Sequence, residues 1–186
     1  MALTTKTKFA FIDVETTGLS PSVHEVIELA CALVERDETT GKCTILEELD
    51  LKLKPEHIET AESVALKING YDESAWMFAH TQVQAFTLLA EIARGATFVA
   101  HNVAFDWGFI ESGFRRCGLE PTFDYHKLDT LSIAFAKLYG RSDVDIKHLS
   151  LKALCEHFSV KNESAHSAMP DVRATVAIFE KLMLMK

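Results

Sequence analysis

Residues 26–34, Val-Ile-Glu-Leu-Ala-Cys-Ala-Leu-Val, are apolar at almost every position, with Ile27, Leu29, Cys31 and Leu33 on one side of an extended chain. Successive side chains of a strand point to opposite faces, so both faces of this segment need cover. That is the pattern of a central strand with helices above and below. Its neighbours read as strands too. Phe9-Ala10-Phe11-Ile12 is a short buried strand ending at Asp13, and Thr40-Gly41-Lys42 a hairpin turn. Thr44 to Leu53 has a half-exposed alternation, with Ile45, Leu49, Leu51 and Leu53 on one face. After Pro55 the spacing turns helical. Ala61 to Asn69 reads as a helix stopped by Gly70, and Val83, Phe86, Leu89 and Ala93 mark another. Thr97 to His101 is a further buried strand, running into a helix marked by Phe105, Phe109, Ile110 and Phe114. Leu131–Tyr139, Leu149–Phe158 and a segment from about Pro170 to Lys186 complete the helices, with Pro170 suited to a first turn. The expectation is one α/β domain over residues 1–186, strands mostly first.

A chain of 186 residues can bury a sizeable core without disulfides or structural metal. Its formal charge of −8, from 27 acids against 19 bases, excludes a basic surface that grips phosphates everywhere. It does not exclude nucleic acid as a substrate. The four cysteines form no CxxC pair and no signal peptide precedes them, so they read as reduced thiols. Asn162-Glu163-Ser164 matches a glycosylation sequon that, without such a signal, has no use. No apolar run is long enough to span a membrane, and the expected location is cytoplasmic.

Three patterns of carboxylates could carry chemistry. Asp13-Val14-Glu15 ends the first strand, where residues i and i+2 project to one spot and two anions call for a hard divalent cation between them. Solvated acids at a strand end are the ordinary alternative. In His101-Asn102-Val103-Ala104-Phe105-Asp106 a strand turns into a helix and places Asp106 in its first turn, where the helix dipole favours an anion with or without a function. In His166-Ser167-Ala168-Met169-Pro170-Asp171 a histidine precedes a helix with an aspartate in its first turn. There is no GxGxxG, Walker loop, GxSxG or HExxH.

Taken in this order on an α/β chain, Asp13, Glu15, Asp106, His166 and Asp171, with Thr16-Thr17-Gly18 behind the first pair, closely resemble the DEDDh subgroup of DnaQ-like 3′–5′ exonucleases. The resemblance runs from Phe9 to about Leu182, with Ile68-Asn69-Gly70 and Leu128-Asp129-Thr130 among its supporting stretches. It implies a ribonuclease-H-like fold: a mixed five-stranded sheet, strands 1 to 3 antiparallel, flanked by helices. It further implies that Asp13, Glu15, Asp106 and Asp171 hold two Mg²⁺ or Mn²⁺ ions and that His166 is the general base for the attacking water. Nucleoside 5′-monophosphates would leave from single-stranded 3′ ends. The resemblance assigns the backbone around Thr16, Thr17 and Gly18 to the terminal sugar and its 3′-hydroxyl, and Leu19, Ile68 and Phe105 to its base, with core packing as their alternative; Asn69, also assigned to this nucleotide, stands where the proofreading subunit often has histidine.

DNA is the favoured substrate, RNA 3′ ends are the alternative, and a non-catalytic scaffold on the same fold is the third reading. The chain ends at Lys186, after the last expected helix and without the extension by which the proofreading subunit docks on its polymerase. The expectation is therefore a free-standing nuclease with no polymerase partner indicated. The apolar end of the last helix could pack internally or against another subunit, which leaves the oligomeric state open.

Overall fold

A computed structural model describes residues 7–141, 144, 146–162 and 167–185. Strand β1, Lys8–Thr16, lies at the centre of a five-stranded sheet. It pairs antiparallel with β2, Val26–Arg36, which pairs antiparallel with β3, Cys43–Lys52. On its other side β1 runs parallel to β4, Thr97–Ala100, followed by parallel β5, Lys127–Asp129. The order is β3-β2-β1-β4-β5, the mixed sheet that the resemblance implies. The helices are α1, Ser63–Ile68; α2, Gln82–Ile92; α3, Val103–Arg116; α4, Thr130–Leu138; α5, Leu151–Phe158; and α6, Ala168–Leu184.

β2 is buried from Val26 to Val34 for the reason its sequence gives. One face of the sheet, with Ala10, Ile12, Val14, Leu29 and Cys31, packs against Phe86 and Leu89 of α2 and Phe109, Ile110 and Phe114 of α3. The other, with Phe9, Phe11, Ala30, Ala32 and Val34, packs against Met169, Val172, Val176 and Phe179 of α6. Each such large side chain, once buried, contributes about 1.5–3 kcal/mol. Helices α2 and α3 touch closely at Gly113, where a Cβ would lie 2.0 Å from the Phe86 ring. Alternation along β1 then fixes the chemistry: Phe9, Phe11, Asp13 and Glu15 share a parity, so both acids emerge on the α6 side of the sheet.

Some local expectations shift. β1 extends four residues past Ile12, to Thr16, and carries both Asp13 and Glu15. A bulge in the β2–β3 ladder at Leu33/Val34 breaks the alternation expected for Thr44–Leu53: Leu51 and Leu53 are buried, but Ile45 is exposed. Val83 is half exposed, and Gln82, Ala85, Phe86 and Leu89 form the buried face of α2. Strand β5, three residues long, was readable only as the motif Leu128-Asp129-Thr130. All four cysteines are free, and no described helix is long and apolar enough to cross a membrane.

Candidate active site

The C-terminal end of β1 gathers the acids. Ligand oxygens of Asp13, Glu15 and Asp171 all lie within 4.8 Å of one another. Asp171 comes from the first turn of α6. The Asn162 side-chain amide donates to its Oδ1 at 2.5 Å. Asp106 stands outside that trio, 3% exposed in the first turn of α3. Its Oδ1 accepts a 3.2 Å hydrogen bond from the backbone N–H of Val14, the residue between the two strand acids. A fifth acid, Glu28, sits opposite Glu15 in the β1–β2 register and is paired at 2.7 Å with Lys52.

Crowding of like charges in a desolvated cleft raises proton affinity. Burial, then the neighbouring Asp171 and Glu28, push Glu15 up to about 7. Burial pushes Asp106 up to about 8, against the opposing hydrogen bond from Val14. Asp13 keeps part of its surface open, yet protein surrounds it; burial first, then Asp106, Asp171, Glu15 and Glu28, raise it well above the ordinary carboxyl range. A donor set made only of carboxylate oxygens, crowded this closely, fits hard divalent cations of the Mg²⁺ or Mn²⁺ kind.

Beside the acids lies a cavity of about 240 Å³, lined by Glu15, Thr16, Gly18, Leu19, Val64, Ile68, Asn69 and Phe105 among others. Most of the expected nucleotide-binding residues are therefore brought together. Leu19 is 74% exposed at the rim. Phe105 is half-buried, its ring 5.0 Å from that of Phe109, so it serves core and cavity at once. The Asn69 amide donates to the Thr16 carbonyl at 2.8 Å, tying α1 to the end of β1. Thr17 does not line this cavity: it is fully buried, and its hydroxyl accepts from the Glu25 N–H at 2.9 Å. At Gly18 a Cβ would lie 2.5 Å from the buried His24 ring, whose Nδ1 accepts from the Ser20 N–H, so the turn needs glycine for close approach. His166 lies outside the described residues.

Sequence reasoning missed the residues that brace this arrangement. His101 is lowered by burial, which outweighs the hydrogen bond to Leu149 and the charges of Asp129 and Asp171. A carbonyl only accepts, so the neutral ring donates through Nε2 to Leu149 O at 2.9 Å, and its Nδ1 stands 3.0 Å from the Thr130 hydroxyl, whose one proton also faces the Ala100 carbonyl at 3.2 Å. Asp129 reaches two helix starts at once; burial raises its carboxyl, but hydrogen bonds from Ser132, Asn102, Val103 and Leu131 hold it below the ordinary value. The sequence held a trace of Asp129 in its motif, whereas nothing in it tied Asn162 or Glu28 to the site.

A mixed sheet with acids converging where β1 ends, and with helices on both faces, defines a ribonuclease-H-like α/β architecture. Residues 10–179 match the RNase_T family model, described as exonuclease. The chain belongs to this exonuclease family, in its DnaQ-like branch, and so to the hydrolases. Among curated relatives, the DNA polymerase III PolC-type of Caldanaerobacter subterraneus subsp. tengcongensis is 33% identical over 176 residues, covering 95% of this chain but 12% of that protein. The PolC-type polymerase of Staphylococcus aureus is 30% identical over 177 residues, covering 94% of this chain and 11% of its own length. This chain thus spans about an eighth or less of these relatives. Among solved structures, Escherichia coli exonuclease I in complex with a dT13 oligonucleotide superposes with a TM-score of 0.81 at 20% identity, over 97% of this chain and 42% of that one. At that identity the likeness speaks for the fold.

Proposed function

We propose that this chain removes nucleotides from the 3′ ends of single-stranded DNA, hydrolysing the terminal phosphodiester bond and releasing nucleoside 5′-monophosphates. The observation that carries the reading is the juxtaposition of Asp13, Glu15 and Asp171, with Asp106 close behind, and the cavity walled by Leu19, Ile68 and Phe105. Asp13, Glu15, Asp106 and Asp171 would hold two divalent ions, which supply Lewis acidity at the phosphate and lower the proton affinity of the attacking water. The rest falls to the protein. Leu19, Ile68 and Phe105 offer apolar surface to an unpaired terminal base, which binds such surface without sequence preference. Gly18 lets backbone approach the terminal sugar, and Asn69 braces that backbone. His166, immediately before the Ser167 that opens α6, is the proposed general base, since an imidazole is largely neutral at physiological pH.

Weak general affinity is consistent with a charge of −8, because a strand end held at one cleft needs no basic coat. DNA is preferred over RNA because the relatives are DNA polymerases. The test is an oligonucleotide labelled at its 5′ end, incubated with Mg²⁺ or Mn²⁺. A descending ladder is expected, faster on DNA than on matched RNA. No ladder from either substrate in any metal would sink the proposal, and a faster RNA ladder would transfer it to RNA ends. His166→Ala is expected to slow the ladder by roughly 10²–10⁴-fold without changing its pattern; an unchanged rate removes His166 from the mechanism. A second reading, editing of polymerase errors, is favoured by the PolC-type relatives. It predicts faster trimming of a mispaired than of a paired primer 3′ end, and equal rates would reject it.

A further inference from the structure

The placement of Asp106 depends on how α3 begins, and α3 begins unusually. Its N-cap residue, Asn102, is in the left-handed region at φ 74° and ψ 56°, and makes no side-chain cap. The first N–H groups of a helix have no partner within it and need one from elsewhere. Here the partner comes from another strand. Asp129 ends β5 opposite Ala100, the last residue of β4, so the sheet sets its carboxylate beside the turn into α3. Asp129 Oδ1 accepts from Asn102 N at 3.0 Å and from Val103 N at 3.3 Å. The same carboxylate caps α4, accepting from Leu131 N, Ser132 N and the Ser132 hydroxyl. One side chain thus fixes the first turns of two helices, and Asp106 is three residues beyond Val103 in the first of them.

We propose that Asp129 is a positioning residue for Asp106: planted at the end of β5, it caps α3 from outside and holds that helix in the register that brings the Asp106 carboxylate against Val14 N–H and the strand acids. The inference rests on the reading of Asp106 as a metal ligand. Asp106 is anchored to β1 through the 3.2 Å bond that its Oδ1 accepts from Val14 N–H. A small rotation at the start of α3 would move the carboxylate, and a displacement of about 1 Å in an active group can cost on the order of 10²-fold in rate.

Two substitutions separate capping α4 from holding α3. Serine is as good a local N-cap as aspartate, so Asp129→Ser keeps the α4 cap, but its hydroxyl is one bond too short to serve Asn102 and Val103. Asp129→Asn keeps an acceptor at the Oδ1 position. Asp129→Ser is expected to lower kcat about 10–100-fold and to raise the Mn²⁺ dissociation constant, measured by calorimetry, by a similar factor. KM should change less than kcat, because Phe105 is the one residue lining the nucleotide cavity that α3 supplies. Asp129→Asn should restore kcat and Mn²⁺ affinity to within roughly threefold of the parent, and Ser132→Ala, which touches only the α4 side, should change neither. Parental kcat and Mn²⁺ affinity in Asp129→Ser, or equal losses in the serine and asparagine variants, would overturn the proposal. Collapse of the fold in Asp129→Ser, with its local cap intact, would equally overturn it by making Asp129 a residue of general stability. If the parent chain binds Mn²⁺ but cleaves nothing, the exonuclease reading fails and the calorimetric comparison still decides the role of Asp129. If it binds no Mn²⁺, both fall.

Discussion

Asp13→Asn is expected to reduce 3′-end cleavage by roughly 10³-fold or more while raising the unfolding midpoint of the metal-free protein. The first half follows from its position: Asp13 stands among Glu15, Asp171 and Asp106, and all of these, with Glu28, raise its proton affinity. An amide of the same size keeps the packing but loses the charge that a divalent ion needs, and several kcal/mol of transition-state stabilisation go with it, at about 1.36 kcal/mol per tenfold in rate. The second half follows from the same crowding. Without a cation, each carboxylate in the cleft is desolvated and faces like charge, so removing one relieves the others. For a protein of this length, each kcal/mol relieved raises the midpoint by about 2–4 °C. Thermal unfolding in EDTA, beside single-turnover cleavage in Mn²⁺, measures both. Activity within about tenfold of the parent would remove Asp13 from the chemistry; a lower midpoint in EDTA would show that its charge is compensated by the protein itself.

The opposite signs of those two effects explain which parts of the site the sequence made legible. Residues that stabilise the fold leave a periodic mark: the unbroken apolar run of β2 announced a covered central strand, and Phe109, Ile110 and Phe114 announced the buried face of α3. Asp13 and Glu15 break such a mark, being acids two apart in an otherwise apolar strand, and the break is itself a signal. Asp171 was legible because Pro170 marks the first turn of a helix. The residues that hold the ligands were harder to read. Asp129 meets Asn102 from 27 residues away, and Asn162 meets Asp171 from nine. Neither separation corresponds to a helical or strand period, so only the folded chain brings them together. β5 failed for a related reason, since three residues hold too little alternation to be distinguished from a loop. The bulge that exposes Ile45 depends on how β3 meets β2, which the sequence of β3 alone does not contain. Within the motif, Thr16 and Gly18 line the cavity, while the Thr17 side chain between them turns inward and its hydroxyl accepts from the Glu25 N–H.

The stability of the metal-free protein is expected to fall as pH rises from about 5.5 to about 8, and a divalent cation should remove most of that fall. Glu15 is raised from its ordinary 4.5 to about 7, Asp106 from 3.8 to about 8, and Asp13 in the same direction. Between the ordinary and the raised values the folded chain holds protons that the unfolded chain has already released. Stability therefore declines with pH through that window, because the slope follows protons bound in the unfolded minus the folded state. The contribution is fully present below the ordinary carboxyl range and lost as pH passes the raised values. His101 acts the other way: burial lowers it, so its contribution is lost as pH falls. Glu15→Gln separates the two, since it removes one carboxylate and leaves the imidazole, and it should flatten the decline. A cation binds the deprotonated acids, so Mn²⁺ should raise the midpoint more at pH 8 than at pH 5.5. At about 100 times its dissociation constant it contributes about 2.7 kcal/mol, or roughly 5–11 °C for a chain of this size. Thermal unfolding at the two pH values, in EDTA and in Mn²⁺, gives all four numbers. A midpoint in EDTA that rises toward pH 8, or a larger Mn²⁺ shift at pH 5.5, would mean that the acids at the end of β1 are already ionised and paired within the protein, and that the cleft is not built around a cation.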